Sequence, residues 1–253
     1  MGRPRFFIPS TQLHQPRTVL TGAEFHHLHH VLRLKRGDHI ILCDDRGREH
    51  QGTITTLSSA RAEITLASPP VSVSPPFVLT LAQGLLKGQK MDVVIEKATE
   101  LGASRIVPFV STFTVAHLVP ERQGERLARW QRIAQSATKQ SGHPVPFIAA
   151  PQSFRELLAT VPHEAGKVLL YEKERGVTLK SFARTHTAFS SLWVVVGPEG
   201  GFAAEEVADA REAGFHLVGL GTRILRAETA SIVAVTLCQF LWGDALPPLP
   251  FGL

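Results

Sequence analysis

VVVGPEGGF, residues 194–202, decides how this chain is read. A run of β-branched apolar residues reads as a buried strand, and it stops at Gly197. A proline, a carboxylate and two more glycines follow, and AAEEVADAREAG at 203–214 then reads as a helix. Strand, glycine-rich bend and helix in succession form the unit of a parallel α/β sheet, whose ligands bind beyond the carboxyl ends of the strands. The bend is not a phosphate loop of the Gly-Lys-Ser/Thr type, and it is not GxGxxG. Its glycines allow positive φ and close approach of a ligand to the backbone. A tight turn without a ligand is the alternative. Glu199, set among small residues, is expected to tie the bend together by accepting backbone or arginine hydrogen bonds. A direct ribose or substrate contact is the weaker expectation.

The same pattern extends outward. FVLTLAQG (77–84), RIVPFV (105–110), PFIAA (146–150), KVLLYE (167–172), LWVVVG (192–197) and HLVGLG (216–221) read as strands, with helical stretches between most of them. GQKMDVVIEKATELG (88–102) predicts an amphipathic helix with Met91, Val94, Ile95, Ala98 and Leu101 on one face and Lys90, Glu96 and Lys97 elsewhere. ERLARWQRIAQSATKQSG (125–142) predicts a long basic helix. SIVAVTLCQFLW (231–242) predicts a buried helix, too short to span a bilayer and carrying Thr236 and Gln239.

SPPVSVSPP at 68–76 removes donors and favours extended backbone, so it reads as a linker. Before it, HIILCDDRGREHQGTITTLSSARAEITLA (39–67) alternates short strands with turns at Asp45-Arg46-Gly47 and Ser58-Ser59, which predicts a small β-barrel or sandwich. One helix, GAEFHHLHHVLRL (22–34), precedes it. Thr21 and Glu24 have capping-box spacing, and Gly37-Asp38 is expected to end the helix.

With 253 residues, 43% apolar and 19% charged, the composition is that of an ordinary soluble chain of one large or two small domains. A formal net charge of +5 admits a polyanionic partner without requiring one. Cys43 and Cys238 form no CxxC pair or metal spacing, and they read as reduced core thiols. MGRPRFFIPS lacks the apolar core of a signal peptide, so a cytoplasmic location without membrane is expected. His26 and His30 lie one helical turn apart, yet HExxH is absent and no metal is expected. Arg3, Arg5, Arg33, Lys35 and Arg36, with Phe6-Phe7 beside the first two, suit phosphate contact and base stacking. A solvated rim is the competing interpretation.

LVGLGTRILRAETASIVAV (217–235) carries Arg223, Arg226 and Glu228 between a buried strand and an apolar helix, where charges must be paired or used. A structural cap, Arg226–Glu228 or arginine to backbone, is the plain alternative. GPEGG at 197–201 followed by LGTRILRAETA at 220–230 resembles the SPOUT methyltransferases, and more narrowly the RsmE family, which methylates N3 of a uridine in 16S ribosomal RNA of the small subunit. RFFIP (5–9), HHLHHVLRLKRGD (26–38), KGQKMDVVIEKATELGA (87–103) and PFVST (108–112) fall in the family's order. The chain departs from the family at Phe113, where many relatives have arginine, and at Ser141-Gly142-His143, where many have Cys-Gly-Arg.

The resemblance implies a PUA-like β-barrel RNA-binding domain over 1–70 and an α/β trefoil-knot methyltransferase domain over 71–253. It also implies a homodimer with its site near the dimer interface. It implies S-adenosylmethionine as cofactor, held by three loops: Leu170 with Tyr171; Gly197, Pro198, Glu199, Gly200 and Gly201; and Leu220, Gly221, Arg223, Ile224 and Leu225. Uridine N3 carries a proton with a pKa roughly two units above neutrality, and each unit corresponds to about 1.4 kcal/mol. A positioned cation meets much of that demand. Arg226 is the residue expected to act, stabilising charge on a uracil carbonyl oxygen. No residue is assigned as general base. Two alternatives stay open: a SPOUT methyltransferase for ribose 2′-O or tRNA guanosine N1, and a non-catalytic RNA-binding assembly factor.

Overall fold

The computed structural model describes residues 3–13, 16–44, 48–67, 77–116, 120–141 and 143–243. The linker at 68–76, the Asp45-Arg46-Gly47 turn and Gly142 lie outside the described residues. The chain forms two compact units, Met1–Ser74 with Thr138–Phe147, and Pro75–Ala137 with Ile148–Leu253.

The first unit is built on one five-stranded sheet: β1 (Arg5–Ile8), β2 (Arg17–Thr21), β3 (His39–Asp44), β4 (Glu49–Leu57) and β5 (Arg61–Leu66), in the order β1-β3-β4-β5-β2. β1 runs parallel to β3 and the other pairs are antiparallel. Alternating side chains, among them Phe6, Ile8, Leu20, Ile40, Leu42, Ile54 and Ile64, form its core with Phe25 and Leu28. Ser58 N donates to Arg61 O at 3.0 Å and closes the β4–β5 turn, as Ser58-Ser59 signals.

The helix of this unit departs from its sequence pattern. α1 (Gly22–His26) passes into a wider π turn at His27–Val31 and goes no further; Arg33, at φ +54°, lies beyond its end. The helix therefore stops before Gly37-Asp38. The Thr21–Glu24 capping box does not form. Gly22 sits at φ +60°, outside the helical region, so the Thr21 hydroxyl makes no cap bond. The Glu24 carboxylate instead accepts from Phe7 N at 3.1 Å and from Lys139 Nζ at 2.5 Å.

The larger sheet has β6 (Val78–Gly84), β7 (Arg105–Val110), β8 (Phe147–Ile148), β9 (Gln152–Ser153), β10 (Gly166–Leu170), β11 (Ser191–Val196) and β12 (His216–Val218). Its order is β12-β10-β11-β6-β7-β8, with β9 also on β7. The β6–β7, β6–β11, β10–β11 and β10–β12 pairs are all parallel. The helices are α2 (Lys90–Glu100), α3 (Gln123–Ser141), α4 (Phe154–Thr160), α5 (Leu179–Thr185), α6 (Ala204–Glu212) and α7 (Ala227–Trp242). The expected α/β alternation is therefore present. In α2 the buried face is Met91, Val94, Ile95 and Ala98, while Leu101 is the half-buried C-cap.

α7 is not buried all round. Ser231, Ala234, Val235, Cys238 and Gln239 form one inward stripe, while Phe240 is 53% exposed. Both cysteines are buried free thiols, and burial pushes each thiol pKa up to about 12. Such thiols are unreactive core residues. Among the described residues no helix is long and apolar enough to cross a membrane.

The strand order positions the site. β12, β10 and β11 are parallel neighbours, so the segments leaving their carboxyl ends emerge at one edge of the sheet. β6, on the other side of β11, ends at that edge too, at Gly84.

Candidate active site

Three loops enclose a cavity of about 350 Å³ at this edge. Leu170 and Tyr171 come from the end of β10, Gly197 to Phe202 from the end of β11, and Gly219 to Arg226 from the segment between β12 and α7. Every residue expected to hold a cofactor lines it: Leu170, Gly197, Pro198, Glu199, Gly200, Gly201, Leu220, Gly221, Arg223, Ile224 and Leu225, with Arg226 beside them. Val196, Val218, Ala227 and Ala230 supply further apolar wall.

Local backbone chemistry shapes each loop. Gly201 adopts φ +69° and donates its N–H to Pro198 O at 2.9 Å, closing the bend. Under the bend, the Gln83 side chain donates to Gly84 O at 2.9 Å and to Gly197 O at 3.4 Å. The Ser231 hydroxyl from α7 donates to the Gln83 carbonyl oxygen, so this buried polar group is satisfied. On the other side, Tyr171 N donates to Val218 O at 3.0 Å and Gly219 N to Val177 O at 2.8 Å. Leu179 N returns to Gly219 O at 3.1 Å. The third loop is thereby sewn to the chain that follows β10.

Glu199 ties the bend as expected, but its side-chain partner is a lysine rather than an arginine. Its carboxylate accepts from Lys87 N at 3.2 Å and Lys90 Nζ at 3.1 Å. Burial raises its pKa, but its own backbone N–H, Lys90 and Lys87 outweigh that and hold it below the usual carboxylate range. Lys90 also stands 3.9 Å from Glu228 Oε2, a buried oxygen that makes no hydrogen bond. One ammonium thus stands beside two carboxylates, one on the bend after β11 and one in the first turn of α7. The Arg226–Glu228 cap is not formed, because Glu228 turns toward Lys90. Arg226 is the N-cap of α7, its side chain makes no cap bond, and it is exposed at the cavity.

Sequence reasoning missed Lys90 and Glu172, which also line the cavity. Helical spacing puts Lys90 off the apolar face of α2. Only the packing of α2 against α7 turns Lys90 toward the bend.

The basic residues of the first unit fall into two groups. Arg33, Lys35 and Arg36 are exposed on the segment before β3, where Lys35 N donates to Asp38 Oδ2 at 2.7 Å. Arg3 donates to Gln51 Oε1 at 2.8 Å, and Arg5 is half-buried with its Nε 3.4 Å from Glu49 Oε1. Phe6 is 1% exposed and part of the core, so it does not offer the stacking face expected of it. Its place in the inward register of β1 explains why. The rings of His26 and His30 lie 4.7 Å apart, and among the described residues no group of three or more His, Cys, Asp or Glu is placed to hold a metal.

The RNA methyltransferase domain model matches residues 73–239, and the RNA methyltransferase PUA domain model matches residues 20–66. Ribosomal RNA small subunit methyltransferase E of Bacillus subtilis is 32% identical over 245 residues, covering 93% of this chain and 96% of its own. The protein of the same name from Synechocystis is 32% identical over 233 residues, covering 91% and 75%. Among solved structures, ribosomal RNA small subunit methyltransferase E from Neisseria gonorrhoeae bound to S-adenosyl methionine superposes with a TM-score of 0.81. It is 34% identical, with 97% of this chain and 100% of that chain covered. A Legionella pneumophila methyltransferase with bound S-adenosyl methionine gives 0.80 at 26% identity, covering 96% and 100%.

Proposed function

This chain belongs to the ribosomal RNA small subunit methyltransferase E family, and on that premise we propose that it transfers a methyl group from S-adenosylmethionine to N3 of a uridine in 16S ribosomal RNA. The observation that carries this is the meeting of residues 170–171, 197–202 and 219–226, far apart in sequence, around one cavity.

The cavity suits the cofactor. Its volume lies in the range of small-molecule sites. Its wall joins apolar side chains with strand-end backbone, which serves an adenosine. When bound, the cofactor supplies an electrophilic methyl group. Leu220, Ile224 and Leu225, with Leu170 beside them, would enclose the adenine, and the Gly197–Gly201 bend would hold the rest of the donor. Arg226 would stabilise the charge that grows on a uracil carbonyl oxygen as the N3 proton passes to solvent water. Holding N3 against the methyl group supplies the rest through proximity.

The reading extends to a trefoil-knotted domain over 71–253, a PUA-like RNA-binding domain over 1–70 that uses Arg3, Arg5, Arg33, Lys35 and Arg36, and a cytoplasmic homodimer. The parallel order β12-β10-β11-β6 and the Thr178–Gly219 bridge support the first of these. The test is transfer of a labelled methyl group to free 16S RNA and to small subunits lacking the modification, followed by nucleoside mass spectrometry. Labelled N3-methyluridine is the expected product. A labelled ribose or guanosine would assign another specificity, and no heat on calorimetric titration with S-adenosylmethionine would leave only an RNA-binding role.

Lys90 provides a second check. Lys90→Met leaves Glu199 and Glu228 without their shared cation, and cofactor affinity is expected to fall by about three- to tenfold, an effect of partly exposed charges. Lys90→Arg should retain most of it. Calorimetry on the two variants measures the difference.

A further inference from the structure

Against the outer side of the cavity-lining bend lies an aromatic ring that nothing above employs. Phe113 lies in the segment that follows β7. A Cβ placed on Gly200 would come 2.7 Å from Phe113 Cβ, 3.0 Å from its carbonyl oxygen and 3.6 Å from Cγ, so Phe113 rests directly on the cavity-lining bend. Its ring does not enter the core: the residue is 47% exposed.

A lone exposed apolar residue is ordinary. This one is held in place. Thr112 N donates to Glu206 Oε1 at 2.9 Å, and the other oxygen of the same buried carboxylate accepts from Ala203 N at 2.9 Å. Glu206 therefore fastens the Phe113 segment to the start of α6, the helix that continues the bend. Ser111 N donates to Thr114 Oγ1 at 2.8 Å, and Thr114 N donates back to Ser111 O at 3.0 Å. With the backbone on both sides of it held, only the two side-chain torsions of Phe113 need ordering when a flat group stacks on its ring.

The chemistry around the same cavity completes the picture. Ile224, 77% exposed, and the exposed Arg223 and Arg226 all line it. An aromatic face on the bend of a cavity whose lining bears exposed apolar and cationic side chains matches an unstacked nucleobase with its phosphate. Single-stranded RNA is bound in this way, on aromatic faces with cations at the backbone.

We propose that Phe113 is a substrate-positioning residue on which an unstacked base of the RNA stacks at the mouth of the methyl-transfer cavity. The inference rests on the function proposed above. It places the ring on the RNA side of the site, outside the cofactor pocket.

The experiment compares the full-length wild type, Phe113→Ala and Phe113→Trp in methyl transfer to small-subunit RNA, with cofactor affinity and sedimentation measured in parallel. For Phe113→Ala the KM for RNA is expected to rise on the order of tenfold, the size of one lost base stack. Cofactor affinity and subunit mass should stay unchanged, and kcat should stay within about twofold, as for a lost uniform-binding contact. Phe113→Trp should restore KM, and its added fluorescence should be quenched by RNA but not by S-adenosylmethionine. An unchanged KM for RNA in Phe113→Ala overturns the proposal. So does a fall in cofactor affinity, which would make the ring a prop for the bend, or a change in subunit mass, which would make it a contact between copies. If the wild type itself methylates no RNA, the parent reading fails, whereas failure of this inference alone leaves wild-type transfer intact.

Discussion

Arg226→Ala is expected to lower methyl transfer by two to three orders of magnitude, the usual loss when a preorganised donor to a developing oxyanion is removed. Cofactor affinity should change by less than about threefold. The reason lies in how Arg226 is held. Its backbone is the N-cap of α7, and its carbonyl accepts from Ala230 N at 2.8 Å, which alanine reproduces. Its side chain makes no cap bond and does not neutralise Glu228, which faces Lys90 instead. Removing the guanidinium therefore leaves no buried carboxylate stranded, and the fold has little to lose. Single-turnover transfer and calorimetric titration separate the two quantities. Transfer at the wild-type rate would remove Arg226 from the mechanism. Equal loss of cofactor binding would make it part of the pocket wall. Arg226→Lys keeps the charge without the planar fork and should recover only part of the rate.

The second large effect concerns a residue outside the cavity lining. Gly84→Ala is expected to weaken cofactor binding strongly. A Cβ at Gly84 would lie 2.5 Å from Pro198 N, 2.6 Å from Pro198 Cδ and 2.9 Å from Gly197 C. These atoms belong to backbone and a proline ring, so no side chain can swing aside. Gly84 is itself held by pairing to Phe109 on β7. The bend must move, and overpacking of this kind costs about 1–3 kcal/mol. Spent on displacing Gly197 and Pro198, that is roughly a ten- to hundredfold loss of affinity. Thermal melting and calorimetry measure the two parts. Gly124→Ala is the matched control: it lies in α3 with nothing within 4 Å of its added Cβ, and it should leave binding unchanged. A Gly84→Ala protein with normal melting and normal affinity would show that the bend yields without consequence.

Much of the architecture was legible because its signals are local. Runs such as Leu192–Val196 are apolar on both faces, as a strand covered by helices must be, and they are fully buried here. Met91, Val94, Ile95 and Ala98 recur at helical spacing and share one buried face. Where expectations failed, a neighbour had overridden the local rule. Thr21 and Glu24 have the spacing of a capping box, but Gly22 takes a positive φ and breaks its geometry. Phe6 beside two arginines suggested a stacking face, yet strand register sends it inward. The apolar run of α7 predicts a buried helix, but only one stripe of it turns to the sheet and to α2.

The sequence by itself determined the alternating elements, the two glycine-punctuated loops and, through their residue pattern, the family, since each is specified within a dozen neighbouring residues. Only the tertiary structure decided that Lys90 stands between Glu199 and Glu228, that Gly84 lies under Pro198, and that Phe113 rests on Gly200. These contacts join residues roughly 90 to 140 positions apart. They depend on which parallel strands adjoin and in what register, and no local periodicity carries that information.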